Sequence, residues 1–495
     1  MTIPKLARRK FLTGIGITAG TAALAGCGGQ TNSVSVGGRK FLTGIGITAG
    51  TAALAGCGGQ TNSVSVGGEN IPTALPPDQY AHRFSEVVNL VDDYGADPSG
   101  DQPIDAPLRQ AWDNDRLIVV PKGEYKMNRP FRRTNTSNVG LIGQNAIIRH
   151  GSVEAINSHS VNRGEYSGGT MMFRIGTPTS PHGDLVFGGF IFDWSWHENA
   201  GMQGLNAFID GEVEIRNIRF EGIHSLGTHG NMRVATATSD SVALIESIDM
   251  SGGGLHFRDT INTRTTRRYG GDTDELDFGQ SWSTTGMTGH PNQQGTTIFR
   301  NVISGPWPDN AIYVRGGTGR KIVSNCVAWN GGGCQIRTNG GNDWEPVGWL
   351  DGTEDKEEAL NGEYPGSVVE NSRCIVEKKP EGVYVTPRGL LLQDGPQTVR
   401  NCEIEIGYAE GGGAGGTYGL GTRGEEGDAP AGPAVFENCT ITLHERTDAV
   451  YVSPYSNTIE LRDIDINTVG WESGLDRLVG GQGADRLENV IVNTA

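Results

Sequence analysis

The chain contains no uninterrupted apolar stretch of about 20 residues, so nothing in it reads as a membrane-crossing helix. Cations are scarce, with 40 Lys and Arg against 57 Asp and Glu and a formal charge of −17. Nucleic-acid binding draws its affinity from neutralised phosphates, and so acidic a chain is not expected to wrap one. The acidity fits a soluble protein, including one adapted to high salt. The seven Cys lack the spacing of a disulfide framework or a zinc site. Glycine is plentiful, 76 of 495 residues, but without the Gly-x-y period of collagen. Frequent tight corners between short strands remain as its use.

The N-terminus is expected to be an export signal over residues 1–27. Arg8-Arg9-Lys10-Phe11-Leu12 is a twin-arginine motif, and a weakly apolar run follows it to Leu24-Ala25-Gly26-Cys27. That ending resembles a lipobox, whose Cys27 would carry the lipid. Export by the twin-arginine route would leave the protein anchored on the outer face of the cytoplasmic membrane. Residues 9–38 recur unchanged as 39–68, so Cys57 is the alternative lipidation site. The second copy lacks the paired arginine. Residues 28–85 are expected to be this duplicate plus a flexible Gly-, Ser-, Thr- and Pro-rich tether, with one folded domain over 86–495.

Within that domain the organising stretch is Trp307 to Gly340. It holds three short segments, AIYVR, KIVSNCVAW and CQIR, punctuated by Gly and Asn. Alternation puts Ile312 and Val314 on one face and Tyr313 and Arg315 on the other. By the same rule Cys334 and Ile336 are expected inside, Gln335 and Arg337 outside. The expectation is neighbouring rungs of a parallel β-helix, with Arg337 stacked beside Arg315. An apolar–x–Asn–x–apolar pattern supports it, recurring at Asn217, Asn301, Asn325, Asn401, Asn438 and Asn489, with weaker copies at Ser247, Asn371 and Asp463. Asn suits such a corner because it tolerates left-handed geometry and its amide can stack on the next rung. Cys326, Cys402 and Cys439 each follow a corner Asn and read as buried thiols.

The start of the domain carries a resemblance. Asp93-Tyr94-Gly95-Ala96-Asp97, a short amphipathic helix (Ile104 to Trp112) and Val120-Pro121-Lys122-Gly123-Glu124-Tyr125 follow one another. This series resembles the pectate-lyase superfamily. The resemblance implies an all-β fold, a single right-handed parallel β-helix with the short helix capping its N-terminal end. Relatives in that superfamily include lyases, hydrolases, epimerases and inert surface proteins. In some lyases Ca²⁺ held by carboxylates stabilises the developing charge and an Arg is the base. The Asn-Thr-Asp, Asp-Asp and Gly-His-Gly set of polygalacturonases is missing here. Pro308-Asp309-Asn310 and Thr228-His229-Gly230 match it only in part.

Candidate chemistry comes from strands aligned on their corners. Asn231-Met232-Arg233, His256-Phe257-Arg258, Tyr313-Val314-Arg315 and Gln335-Ile336-Arg337 share the form polar–apolar–Arg. Four successive rungs would then carry a ladder of cations about 5 Å apart, which repel. Either loop acids such as Asp259 and Asp309 neutralise them, or an anionic ligand does, since Arg forks grip carboxylates in pairs. Trp307 and Trp344, near carboxylates and Arg, could stack on sugar rings. A lyase needs a base beside a uronate carboxylate, and His256 or His290 is the candidate. A hydrolase needs two carboxylates, and Asp259 with Asp309 is the best pair. The expectation is an extracellular protein acting on an acidic polysaccharide, a lyase first and a hydrolase second. The rival is a non-catalytic surface protein or adhesin. Ca²⁺ is an option to which the sequence assigns no ligands, and it sets no oligomeric state.

Overall fold

Nine corner residues set the shape of the chain. Asn217, Ser247, Asn301, Asn325, Asn371, Asn401, Asn438, Asp463 and Asn489 all have φ between 48 and 57°. A β-branched or bulky residue resists that conformation, whereas Asn and Asp accept it. Their side chains also run along the stack. Asn438 Nδ2 donates to Asn401 Oδ1 at 2.7 Å, and Asn401 Nδ2 to Asn371 Oδ1 at 3.2 Å.

The computed structural model describes residues 71–494 apart from 158–159, 198–200, 227–229, 257–258, 261–283, 290–291, 342–365, 382, 384, 412 and 425–429. It also describes the antiparallel pair Ser35–Val36 and Arg39–Lys40. The main body is a parallel β-helix. One coil runs through Ile312–Val314, Lys321–Ser324 and Val327–Trp329, and the next begins at Cys334–Asn339. Strands on each side of the Asn corner form one continuous wall, and the remaining strand of each coil joins an 11-stranded lateral sheet. The lateral sheet runs from Phe131–Arg133 to Val479–Gly481 with every pairing parallel.

Inward residues of all walls merge into one apolar column, in which Phe192 lies flat on Phe220 with centroids 5.0 Å apart. Cys326, Cys402 and Cys439 are buried in it as free thiols, as expected, and Cys334 and Cys374 are free and buried too. Burial pushes the Cys326 thiol up to about 12. At the N-terminal end a helix, Asp105–Ala111, adds Leu108 and Ala111 to this column, flanked by Ile104 and Trp112.

Residues 71–85 depart from the expected tether. Leu75, Tyr80 and Phe84 are buried against Leu117, Val119, Ile142 and Val186 on the outside of the coil. The Tyr80 hydroxyl donates to Glu214 at 2.8 Å, and Arg83 pairs with the same carboxylate at 3.0 Å. The stretch reads as polar overall, but its three large apolar side chains meet an apolar outer patch. Among the described residues no helix is long and apolar enough to cross a membrane.

Candidate functional site

Side chains at one register position of a parallel stack line up along the axis. On the outer face of the lateral sheet, the pairings join Arg132 to Arg174, Arg174 to Asn206 and Asn206 to Arg233. The column continues through Thr288 and Tyr313 to Arg337, then Leu391. Every charge in this column up to Arg337 is positive. Two such neighbours at about 5 Å repel by about 1 kcal/mol in water, and by about 3 where the protein lowers the effective dielectric.

The opposite solution stands on the corner wall. There the residue before each corner forms the column Arg216, Glu246, Arg300, Ser324, Glu370, Arg400, Glu437, Arg462, Glu488. Apart from Ser324, the signs alternate. Arg216 reaches Glu246 at 3.2 Å, and Arg400 grips Glu370 at 2.5 Å.

The expected ladder therefore exists in part and in a different register. Tyr313, not Arg315, lies across from Arg337. One coil here is 24 residues, as the step from Tyr313 to Arg337 gives, and the spacing of Arg315 and Arg337 falls short of it. The strand ends at Val314, and Arg315 enters the turn at Gly316 and Gly317, whose φ values are 118 and 70°. From there its guanidinium reaches Asp394 at 3.4 Å. Asn339, two positions past Arg337, accepts from the Gly316 N–H and donates to the Gly317 carbonyl. Arg233 does stand in the column. The rung expected at His256-Phe257-Arg258 is instead Met287–Thr288. His256 is buried in a turn whose carbonyl receives the Asp259 N–H, and Asp259 is exposed beside it. Arg258, His290 and Trp344 lie outside the described residues, as do Cys27 and Cys57.

Two further expectations are corrected. Gln335 is fully buried, because its side chain accepts from the Gly331 N–H and donates to the carbonyls of Gly331 and Arg388. It closes a corner and does not face solvent. Trp307 is likewise fully buried, packed against His224 with centroids 5.7 Å apart, so it offers no platform to a sugar. His224 is itself structural: Nδ1 sits 2.9 Å from Asn231 Oδ1, and burial lowers its pKa to about 4.

What the fold does assemble is a cluster around Tyr313. The Arg337 guanidinium lies 5.0 Å from the Tyr313 ring centroid, and its Nε donates to Gln393 Oε1 at 2.6 Å. Arg315 lies close enough to the Tyr313 phenol to interact with it electrostatically. Asp309 is buried nearby; burial raises its carboxyl to about 7, while Arg337 and the amide of Asn310 pull it back. The cluster thus presents two guanidinium groups, a phenol and a carboxylic acid that holds its proton close to neutral pH. Those are groups that bind a carboxylate and stabilise negative charge growing on it. Among the described residues no three His, Cys, Asp or Glu side chains converge as a metal site.

Sequence reasoning missed Arg132, Arg174 and the alternating wall. The second was readable, since the residue before each corner alternates in sign along the chain. The first was not, because Phe131–Arg133 and Met171–Ile175 carry no corner Asn to align on.

Comparison of the sequence with protein families and with curated proteins gave no match. Among solved structures the chain is similar to the A-module of the mannuronan C-5 epimerase AlgE4 of Azotobacter vinelandii. Identity is 11% and the TM-score 0.36, over 82% of this chain and 97% of that one. It is also similar to the surface protein and adhesin PfbA of Streptococcus pneumoniae, at 12% identity and a TM-score of 0.34, over 82% and 99%.

Proposed function

We propose that this protein binds an acidic, uronate-containing glycan outside the cell and modifies it by removing the proton next to the uronate carboxylate. The observation that carries the reading is the cluster of Arg315, Arg337, Tyr313 and Asp309, whose carboxyl is raised to about 7, at one end of a cationic column. Removing that proton turns the carboxylate into a dianionic enolate, the costliest species on the path. Arg337 and Arg315 offset the charge, and Asp309 donates a hydrogen bond to one oxygen while it keeps its proton. Collapse with expulsion of the neighbouring glycosidic oxygen, which takes up a proton from water to leave as a hydroxyl, gives a chain break and a C4=C5 double bond, which is lyase chemistry. Return of a proton to the other face gives the epimer and no break. His290 is the base proposed from the sequence, and it lies outside the described residues. The twin-arginine motif and lipobox support an extracellular, membrane-anchored setting.

The test is a screen of uronate polymers with the mature domain, with and without Ca²⁺ and at low and high salt. Absorbance of unsaturated uronates reports the lyase, and proton NMR reports the epimer. The double substitution Arg315→Gln and Arg337→Gln is expected to abolish turnover and weaken binding of short oligomers at least about tenfold, the loss of a charge-assisted pair. Tight binding with no product of either kind would leave a glycan-binding surface protein. Unchanged affinity in the double variant would remove the glycan from this face.

A further inference from the structure

The cationic column does not stop at the cluster. Counting rungs from Arg337 back to Arg132 gives six steps, about 29 Å at about 4.8 Å per rung. The far end of this run has its own features. Arg132 and Arg174 are direct neighbours across two strands, and no acid pairs with either among the described residues. Asn206 follows, donating to Gln203 Oε1 at 3.3 Å. Gln203 is 2% exposed, yet its amide nitrogen has no hydrogen-bond partner. A buried donor left open costs stability unless something accepts from it.

We infer that Arg132, Arg174 and the Gln203–Asn206 pair form a second, remote binding arm that grips an acidic glycan about four to six rungs away from Arg337 in the reacting cluster. The inference rests on the functional reading above and extends it to a requirement for chain length. The rung spacing is close to the advance of one sugar along an extended glycan. A polymer with a carboxylate on every residue could therefore meet successive rungs without coiling. Arg132 and Arg174 would each fork one carboxylate, and the Gln203 amide would donate to an oxygen of the next sugar, on the rung of Asn206. No bond is made or broken at this arm; it holds the chain in line. A neutral glycan, or a short acidic one, gains nothing from it.

The experiment uses the mature protein with oligogalacturonates and oligomannuronates of two to ten residues, read by calorimetry. Wild-type affinity is expected to rise with length and level off at about seven residues, the number of rungs from Arg132 to Arg337. The variant Arg132→Gln/Arg174→Gln is expected to bind trimers as wild type does, yet lose about tenfold in affinity for the longest oligomers. Its length dependence should level off near four residues. Unchanged circular dichroism and unfolding temperature would show that the fold is kept. A double variant with wild-type length dependence would overturn the remote arm and leave the central cluster standing. Failure of every uronate oligomer to bind the wild type would overturn both.

Discussion

Two outer walls of one solenoid meet the same electrostatic problem and answer it differently. Both stack ionisable residues at a single register position, where neighbours stand about 5 Å apart. Apart from Ser324 the corner wall alternates Arg and Glu, so every guanidinium in it has a carboxylate on an adjacent rung and the column largely neutralises itself. The lateral sheet places Arg132, Arg174, Arg233 and Arg337 in one line with Asn, Thr and Tyr between them. On a chain of net charge −17 acids were available, and none entered this column. A same-sign column is the less stable arrangement, and an anion that binds it removes the penalty. The contrast separates a wall that neutralises itself from one whose charge is left for the proposed ligand to neutralise.

Breaking the corner wall should have the largest effect. Glu370 is nearly buried and takes two hydrogen bonds from Arg400. Glu370→Ala strands that guanidinium and is expected to cost about 3 kcal/mol, read by urea unfolding. Glycan affinity should stay as in wild type.

The pH dependence of the lateral wall comes next. The folded carboxyl of Asp309 sits at about 7 against an ordinary value of 3.8. Between those values the native state holds a proton that the unfolded chain has released. Stability must therefore fall as pH rises through that window, and be fully lost from this source above about 7. Asp309→Asn should flatten this slope and raise stability at pH 8 by roughly 1–3 kcal/mol. A slope unchanged in Asp309→Asn would assign it to another group.

Making one wall imitate the other gives a smaller effect with a clear sign. Asn206→Glu sets a carboxylate between Arg174 and Arg233. It should stabilise the fold by about 0.5–1 kcal/mol, as a partly exposed pair does, while weakening long-oligomer binding. A gain in both would mean that the column does not meet the glycan. The smallest expected change is at a corner. Asn438→Gly keeps the left-handed backbone and loses only the amide ladder to Asn401, at a cost of about 0.5–1 kcal/mol in thermal unfolding.

The coil was legible from the chain because its determinants are local. Asn325 and Asn401 sit between apolar pairs, and left-handed geometry at those points follows from residue type alone. The 24-residue step was legible too, in the interval from Asn301 to Asn325, yet aligning Arg315 with Arg337 used a shorter one. Gln335 and Trp307 were misassigned because alternation describes a strand and fails at its ends. Gln335 is the second residue of its strand, and its amide is spent on Gly331, just before the strand, and on Arg388. Leu75, Tyr80 and Phe84 looked like part of a tether because their partners, Ile142 and Val186, lie far along the chain.

By itself, then, the sequence determined a stack of β-coils with Asn corners, thiols inside and a short helix at one end. Each of those follows from backbone preference and side-chain polarity within a few residues. Only the tertiary structure decided which residues share a column, because register depends on the length of every loop between rungs. A shift of two positions put Tyr313 in line in place of Arg315, the parallel pairings added Arg132 and Arg174, and the electrostatics of the wall follow from that alignment.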